Sequence, residues 1–121
     1  MPPLAARRSP LAPVSDLDLL QGTLDTLVLK ALTWGPHHGF GIAKWIRQTT
    51  DGELAIEDSA LYPALHRMEH KDWIAAEWGV TENSRRAKYY RLTAGGRAQL
   101  RTRTARWDRY ATAVGKVLHA T

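Results

Sequence analysis

The sequence predicts a mainly α-helical fold that carries one small β-hairpin. Two observations lead to this prediction. Apolar residues recur at helical spacing in several separate segments, and two short runs rich in Trp and Tyr are joined by a polar stretch. A chain of 121 residues has room for one domain with one modest core.

The first helix is expected over residues 19–34, where apolar residues repeat at steps of three and four on one face. Asp18 or Thr23 is the candidate N-cap, because both side chains can accept a hydrogen bond from a free backbone N–H. Gly35 and Pro36 follow and end the helix.

The second helix is expected over residues 40–49. Phe40, Ile42, Trp45 and Ile46 are predicted to form its apolar side. A Gly- and His-rich turn connects it to the first helix, so the two helices are short neighbours in one compact unit.

The third helix is expected over residues 59–71, with Leu61 and Leu65 in its buried stripe. Pro63 has no backbone N–H and is tolerated only near the first turn of a helix. This requirement places the start of the helix close to Ser59, which is the candidate N-cap.

Residues 73–80 and 87–92 are typical of two strands, so the wing-like hairpin is expected over residues 73–92 with a basic tip. Thr93 is the candidate N-cap of a long last helix, over residues 94–118. Three helices, a hairpin and a further helix form the order of a winged helix-turn-helix fold.

The chain is therefore expected to have three parts. Residues 1–15 are Pro- and Ala-rich and are predicted to be a disordered N-terminal arm. Residues 16–93 form the winged helix-turn-helix domain, and residues 94–121 form a C-terminal dimerisation helix.

An apolar stripe on the last helix predicts the dimer. The stripe advances by steps of 4, 3, 4, 3 and 4 residues, which is the spacing of an a/d seam. Because the first helices already supply a core, a second copy of the chain is the expected partner; the alternative is that the helix folds back on its own core. The seam consists of Leu100, Thr104, Trp107, Ala111, Val114 and Leu118.

The distribution of basic residues predicts a second binding partner, which is a polyanion. The formal net charge is +5, and nine of the seventeen Lys and Arg residues lie between Arg85 and Arg109, against one acid, Asp108. Such a cluster attracts a polyanion, because each cation placed near a phosphate releases condensed counterions. The alternative is a solvated helix face beside a basic loop.

The third helix is expected to lie in the major groove of double-stranded DNA, as the second helix of a helix-turn-helix does. In the alternative, Tyr62 packs into the core and Pro63 only sets the helix start.

Of the two wing tyrosines, Tyr89 and Tyr90, one should be a core residue and the other free to contact a phosphate. Alternation along the strand does not decide which is which. The expected DNA contacts are Ser59, Ala60, Tyr62, Pro63, His66 and Arg67 of the helix, with Arg85, Arg86, Lys88 and Tyr89 of the wing.

Other classes of protein are disfavoured. The absence of cysteine excludes disulfides and thiolate metal sites and favours a cytoplasmic location, and no apolar run is long enough to cross a membrane. His66 and His70 have a spacing that can bind zinc, but no third ligand is marked, so neither a metal nor a cofactor is expected. No phosphate loop or nucleophile motif is present, so an enzyme is not expected.

Five motifs carry a family resemblance: LQGTLD at residues 20–25, HGFGI at 38–42, ALYPALHRME at 60–69, RRAKYYRLT at 85–93 and GR at 96–97. With them the chain resembles the PadR family of transcriptional regulators over about residues 19–110. Residues 77–79 and Trp107 resemble the short subgroup, in which the C-terminal segment is a single helix.

The resemblance implies a homodimer that binds a palindromic promoter site, usually as a repressor. It implies that the first helix, through Leu20 and Leu24, assists the last helix at the dimer interface. Some members release DNA when a small aromatic or drug-like compound binds near that interface, so a small aromatic effector is an expected partner. The family usually has Gly and then Ser or Thr before Leu-Tyr-Pro, whereas this chain has Ser59 and Ala60, so its site specificity is expected to differ.

Two rival hypotheses stay open. A winged helix can bind another protein without touching DNA, and weak binding to random duplex at low salt separates that case from a DNA binder. A ligand-sensing or enzymatic module would instead show an apolar pocket with buried polar groups.

Overall fold

The computed structural model describes residues 22–121. Predictions made for the arm at residues 1–15, for Asp18 as a cap and for Leu20 as a dimer contact fall outside the described residues. The predicted order of three helices, a hairpin and a long helix is confirmed, and the fold is a winged helix-turn-helix. The elements are α1 Thr23–Ala31, β1 His37–His38, α2 Gly39–Thr49, α3 Asp58–His70, β2 Ile74–Val80, β3 Arg86–Leu92 and α4 Ala94–Leu118.

The sheet has one strand more than the predicted hairpin. Its three strands are antiparallel in the order β1-β3-β2. The short β1 pairs His37 with Tyr90 and His38 with Tyr89. The sequence prediction placed a turn here, because a strand of two residues is too short to show any alternation. The pairing attaches the start of α2 directly to the wing.

The core lies between the first three helices and the base of the sheet. Helical spacing brings the fully buried Leu29 of α1, Ile42 of α2 and Leu61 of α3 into one hydrophobic cluster. From the sheet, Tyr90 is only 6% exposed and closes the core. Tyr90 is therefore the core tyrosine of the wing, and Tyr89 points to the opposite face of β3.

Thr23 and Ser59 are both wrong as predicted helix caps. The N-cap of α1 is Gly22, in the left-handed region at φ 90, and Thr23 is the first helical residue. The N-cap of α3 is Glu57, so Ser59 is the second residue of the helix and not its cap. Pro63 accordingly lies in the second turn and has no N–H to donate to the carbonyl group of Ser59.

The apolar side of α2 also differs from the prediction. Ile42 and Ile46 are buried one turn apart, whereas Phe40 is 70% exposed. Two residues span about 200° around a helix axis, so Phe40 points away from the face that Ile42 buries. The apolar spacing misleads here because Phe40 belongs to a surface feature described below.

The first turns of α4 are bound tightly to the rest of the fold. Thr93 is the N-cap, as predicted, and its hydroxyl accepts a hydrogen bond from the N–H of Gly96 at 3.0 Å. Gly96 is buried against the carbonyl group of Trp73, and Leu100 packs on the core. The guanidinium of Arg103 lies 4.8 Å over the Trp73 ring. After Arg103, nearly every residue of α4 is exposed.

No helix within residues 22–121 combines the length and the apolar character that crossing a membrane needs.

Candidate nucleic-acid interface

One face of α3 points away from the protein. Leu61, Ala64, Leu65 and Met68 are buried on the inner face. Helical geometry places the exposed residues Ser59, Pro63, His66 and His70 on the outer face. His70 was not among the expected contacts, although its place one turn after His66 could have been read from the sequence. The two imidazole rings are 4.6 Å apart in an edge-to-face arrangement.

The exposure of Tyr62 is intermediate between the two predicted possibilities, an outward-facing side chain on α3 and a side chain packed into the core. Its side chain is 45% exposed, and its ring packs against the backbone of Gly39 at the start of α2. Partial burial, and then the nearby negative charge of Asp58, raise the pKa of the Tyr62 hydroxyl. A protonated tyrosine hydroxyl can donate a hydrogen bond to an anion.

An ion pair holds α3 on the side of α1. Nη2 of Arg67 donates to Oδ1 of Asp25 at 2.8 Å, with the Arg67 side chain 50% exposed and that of Asp25 only 8%. Arg67 is thus on the surface, as predicted, but its guanidinium is already fixed by a buried carboxylate. Ala60, on the same side of the helix, is half-buried.

A second ion pair holds α3 on the side of the wing. Nζ of Lys88 donates to Oε1 of Glu69 at 3.0 Å, and both side chains are about one-third exposed. This hydrogen bond raises the pKa of the Lys88 ammonium group, so the group remains fully charged at neutral pH. Lys88 therefore connects β3 to the third helix.

The wing presents the remaining predicted cations. Arg85 and Arg86 are exposed, and the guanidinium of Arg86 lies 4.6 Å over the ring of Trp78, itself 60% exposed. Tyr89 is partly buried, and its hydroxyl donates to the carbonyl oxygen of Val80 at 3.3 Å. Stacking an arginine on an aromatic ring limits its rotamers, so less entropy is lost when it binds an anion.

A groove of about 1080 Å³ separates the wing from the start of α2. Phe40, Lys44 and Gln48 lie at steps of four residues and line it from α2, while Trp78 and the wing arginines line it from the other side. The sequence prediction missed this row of α2 because it assigned Phe40 to the core. Cations and exposed rings in one groove match the phosphates and sugars of a nucleic-acid strand.

No three His, Asp or Glu side chains come together as metal ligands anywhere in residues 22–121. The rings of His66 and His70 contact each other, and that pair gains no third ligand from the described part of the chain.

The apolar stripe of α4 divides into two parts. Leu100 packs against the core of its own chain, as does Leu24 of α1. Beyond Arg103 the residues of the stripe are exposed, with Trp107 46% exposed. The exposed members of the predicted seam are Thr104, Trp107, Ala111, Val114 and Leu118, and Tyr110 and Val117, which were not predicted, are exposed beside them.

Comparisons with known proteins agree with this architecture. The family described as Transcriptional regulator PadR-like family matches residues 28–102. An uncharacterised protein of Lysinibacillus sphaericus is 30% identical over 90 residues, which are 74% of this chain and 83% of that protein.

Solved structures show the same fold. A transcriptional regulator from Clostridium thermocellum has a TM-score of 0.74 and 31% identity, covering 82% of this chain and 96% of that one. A PadR family transcriptional regulator from Eggerthella lenta has a TM-score of 0.70 and 35% identity, covering 87% and 89% of the two chains. The family match thus spans the core, the wing and the first turns of α4.

Proposed function

This chain belongs to the PadR-like family of transcriptional regulators, and from that premise we propose that it is a repressor that binds a palindromic operator as a homodimer. The family membership makes it a DNA-binding regulator of transcription and not an enzyme. The repressor role, the palindromic site and the homodimer are the proposal.

The observation that carries the proposal is the continuity between the outer face of α3 and the basic wing. The ion pair of Glu69 with Lys88 joins them, and Tyr62 lines the same groove as the wing arginines. We place α3 in the major groove and the wing on the adjacent backbone. The contacts are Ser59, Ala60, Tyr62, Pro63, His66 and Arg67 of α3, Arg85, Arg86, Lys88 and Tyr89 of the wing, and in addition His70 and Lys44.

The exposed stripe of α4 supports the homodimer. An apolar stripe at a/d spacing on a helix that has left its own core buries itself best against an identical stripe, which gives a two-fold axis. A two-fold dimer presents two copies of α3, so the matching DNA site is a palindrome. We include Leu24 and Leu100 as neighbours of this interface and Trp107, Val114 and Leu118 as its centre.

Repression and the effector are taken from the family resemblance. A dimer seated on promoter DNA occupies the surface that the transcription machinery needs, which makes repression the expected outcome. The exposed ring of Trp107 on the α4 stripe is a suitable contact for a small aromatic effector at the dimer interface. A protein that acts on DNA in this way is expected in the cytoplasm.

Selection of operators from a random-oligonucleotide library tests the proposal. The purified protein should enrich an inverted repeat and should elute as a dimer in light scattering. Binding to the selected duplex should weaken steeply with salt, because phosphate contacts release counterions. No binding to any duplex at low salt would instead support the rival hypothesis of a winged helix that binds only other proteins.

A further inference from the structure

We propose that Asp25 and Glu69 are positioning residues, which fix the rotation of α3 about its axis and thereby set which bases the helix reads. The inference rests on the proposed DNA-binding function. Each carboxylate acts through a cation: Asp25 through Arg67 and Glu69 through Lys88.

The geometry of the two pairs resists rotation. Arg67 and Glu69 are two residues apart, so their side chains leave the helix about 200° apart around its axis and at nearly the same height. One is tied to α1 and the other to β3. A rotation of α3 about its axis would move the two side chains in opposite directions, and would therefore disturb both ion pairs.

The pair on the α1 side is anchored by burial. The Asp25 carboxylate is 8% exposed, and a buried charge is stable only with a partner. Its hydrogen bond engages Nη2 of Arg67. A guanidinium has five N–H donors in a fixed fork, so Arg67 keeps donors for a phosphate or a guanine while Asp25 sets the plane of the fork.

The ion pair between Glu69 and Lys88 on the wing side is informative because an acidic residue at this position opposes DNA binding. A carboxylate on a surface that approaches phosphates weakens binding to every DNA sequence through charge repulsion. Glu69 contributes instead through geometry, since its contact with Lys88 fixes the distance between α3 and β3. Lys88 also lies 5.7 Å from the centre of the buried Tyr90 ring, so the contact is continuous with the core.

The two roles of Glu69 predict opposite effects, and this difference gives the test. If Glu69 acts only as a charge, Glu69→Gln strengthens binding to operator and to scrambled duplex by the same factor. If it positions α3, the same change strengthens binding to scrambled duplex but lowers the ratio of operator to scrambled affinity. We expect that ratio to fall by about tenfold.

The experiment uses the full chain and an operator first selected with the wild-type protein. Operator and scrambled duplexes of equal length are titrated with wild type, Glu69→Gln, Lys88→Gln and the double variant. Glu69→Gln and Lys88→Gln should each lower the ratio of operator to scrambled affinity. In the double variant this ratio should be no lower than in the single variant with the lower ratio. Glu82→Gln is the matched control, because Glu82 is an exposed wing acid that takes part in neither ion pair.

Asp25→Asn extends the test to the buried pair, because asparagine keeps the size and one acceptor oxygen but loses the charge. It should lower the ratio while circular dichroism shows a folded protein. Since the Glu69 pair is partly exposed, its removal should leave the fold intact and keep the test decisive even if Asp25→Asn unfolds. Equal changes for Glu69→Gln and Glu82→Gln on both duplexes would overturn the inference. A wild-type protein that does not discriminate the duplexes would overturn the proposed function, and the inference with it.

Discussion

The ring of Tyr62 lies so close to Gly39 that a β-carbon at residue 39 would stand 2.7 Å from the Tyr62 hydroxyl oxygen. Gly39 is the first residue of α2, and Tyr62 belongs to the N-terminal half of α3, so the contact joins the two helices of the helix-turn-helix. The absence of a side chain at residue 39 therefore determines where the tyrosine can lie.

Gly39→Ala should displace the Tyr62 ring and weaken operator binding. The ring is at the end of a rotatable side chain, so it can swing outward and the loss of folding free energy should be at the low end of about 1–3 kcal/mol. Fluorescence anisotropy should show Gly39→Ala binding as weakly as Tyr62→Ala. The combination of both changes should be no weaker than Tyr62→Ala alone, and additive losses would show that residue 39 acts by another route.

Removing the two wing arginines should reduce the salt dependence of DNA binding. Each lost phosphate contact lowers the slope of log K against log salt by about 0.9, so Arg85→Gln with Arg86→Gln should flatten it by up to about 1.8. The control is Arg106→Gln with Arg109→Gln, which removes the same charge from the exposed part of α4. A slope that changes equally in both double variants would argue against contact between the wing and the DNA backbone.

Charges placed on the exposed stripe of α4 should separate the dimer without unfolding the protomer. Trp107→Glu with Val114→Glu puts two carboxylates into the proposed interface, where repulsion and lost apolar burial both oppose association. Light scattering should report a monomer, and operator affinity should fall. Thr102→Glu with Arg109→Glu alters the opposite face of the same helix and should leave a dimer. Both variants should keep the thermal melting behaviour of a folded domain.

Two adjacent glycines of α4 should respond in opposite ways to alanine. A β-carbon at Gly96 would clash with the backbone carbonyl oxygen of Trp73, and a backbone atom cannot swing away. Gly96→Ala should therefore cost more than about 2 kcal/mol of folding free energy. At Gly95 the nearest atom is 3.5 Å away, so Gly95→Ala should be neutral or stabilise the helix by about 0.5–1 kcal/mol. Urea unfolding of both variants measures the difference directly.

Local patterns in the sequence predicted most of the fold because its elements are long and periodic. The stripe through Leu61 and Leu65 and the cap at Thr93 depend only on neighbours a few residues away, and both are confirmed. Ser59 was wrong as a cap because the prediction restricted Pro63 to the first turn. The helix in fact accepts the proline one turn later, where the missing N–H costs a single hydrogen bond.

The parts that could not be predicted depend on residues distant in the chain. Asp25 and Arg67 are 42 positions apart, and β1 finds its partner about 50 residues later in β3. Arg67 and Lys88 were expected as DNA contacts, and nothing in their own segments indicates that carboxylates hold them. The row of Phe40, Lys44 and Gln48 was visible at steps of four, but an aromatic residue at a helix start fits the core equally well on pattern alone.

The continuity of α4 has a consequence for the spacing of the DNA half-sites that the proposed dimer would bind. Its first turns are fixed to the winged domain at Gly96 and Leu100, and its later turns carry the proposed interface. In the proposed dimer one rigid rod therefore sets the distance and the angle between the two copies of α3. Each residue adds about 1.5 Å and 100°. The length of this helix would then determine the spacing between the operator half-sites, independently of the residues that contact the bases.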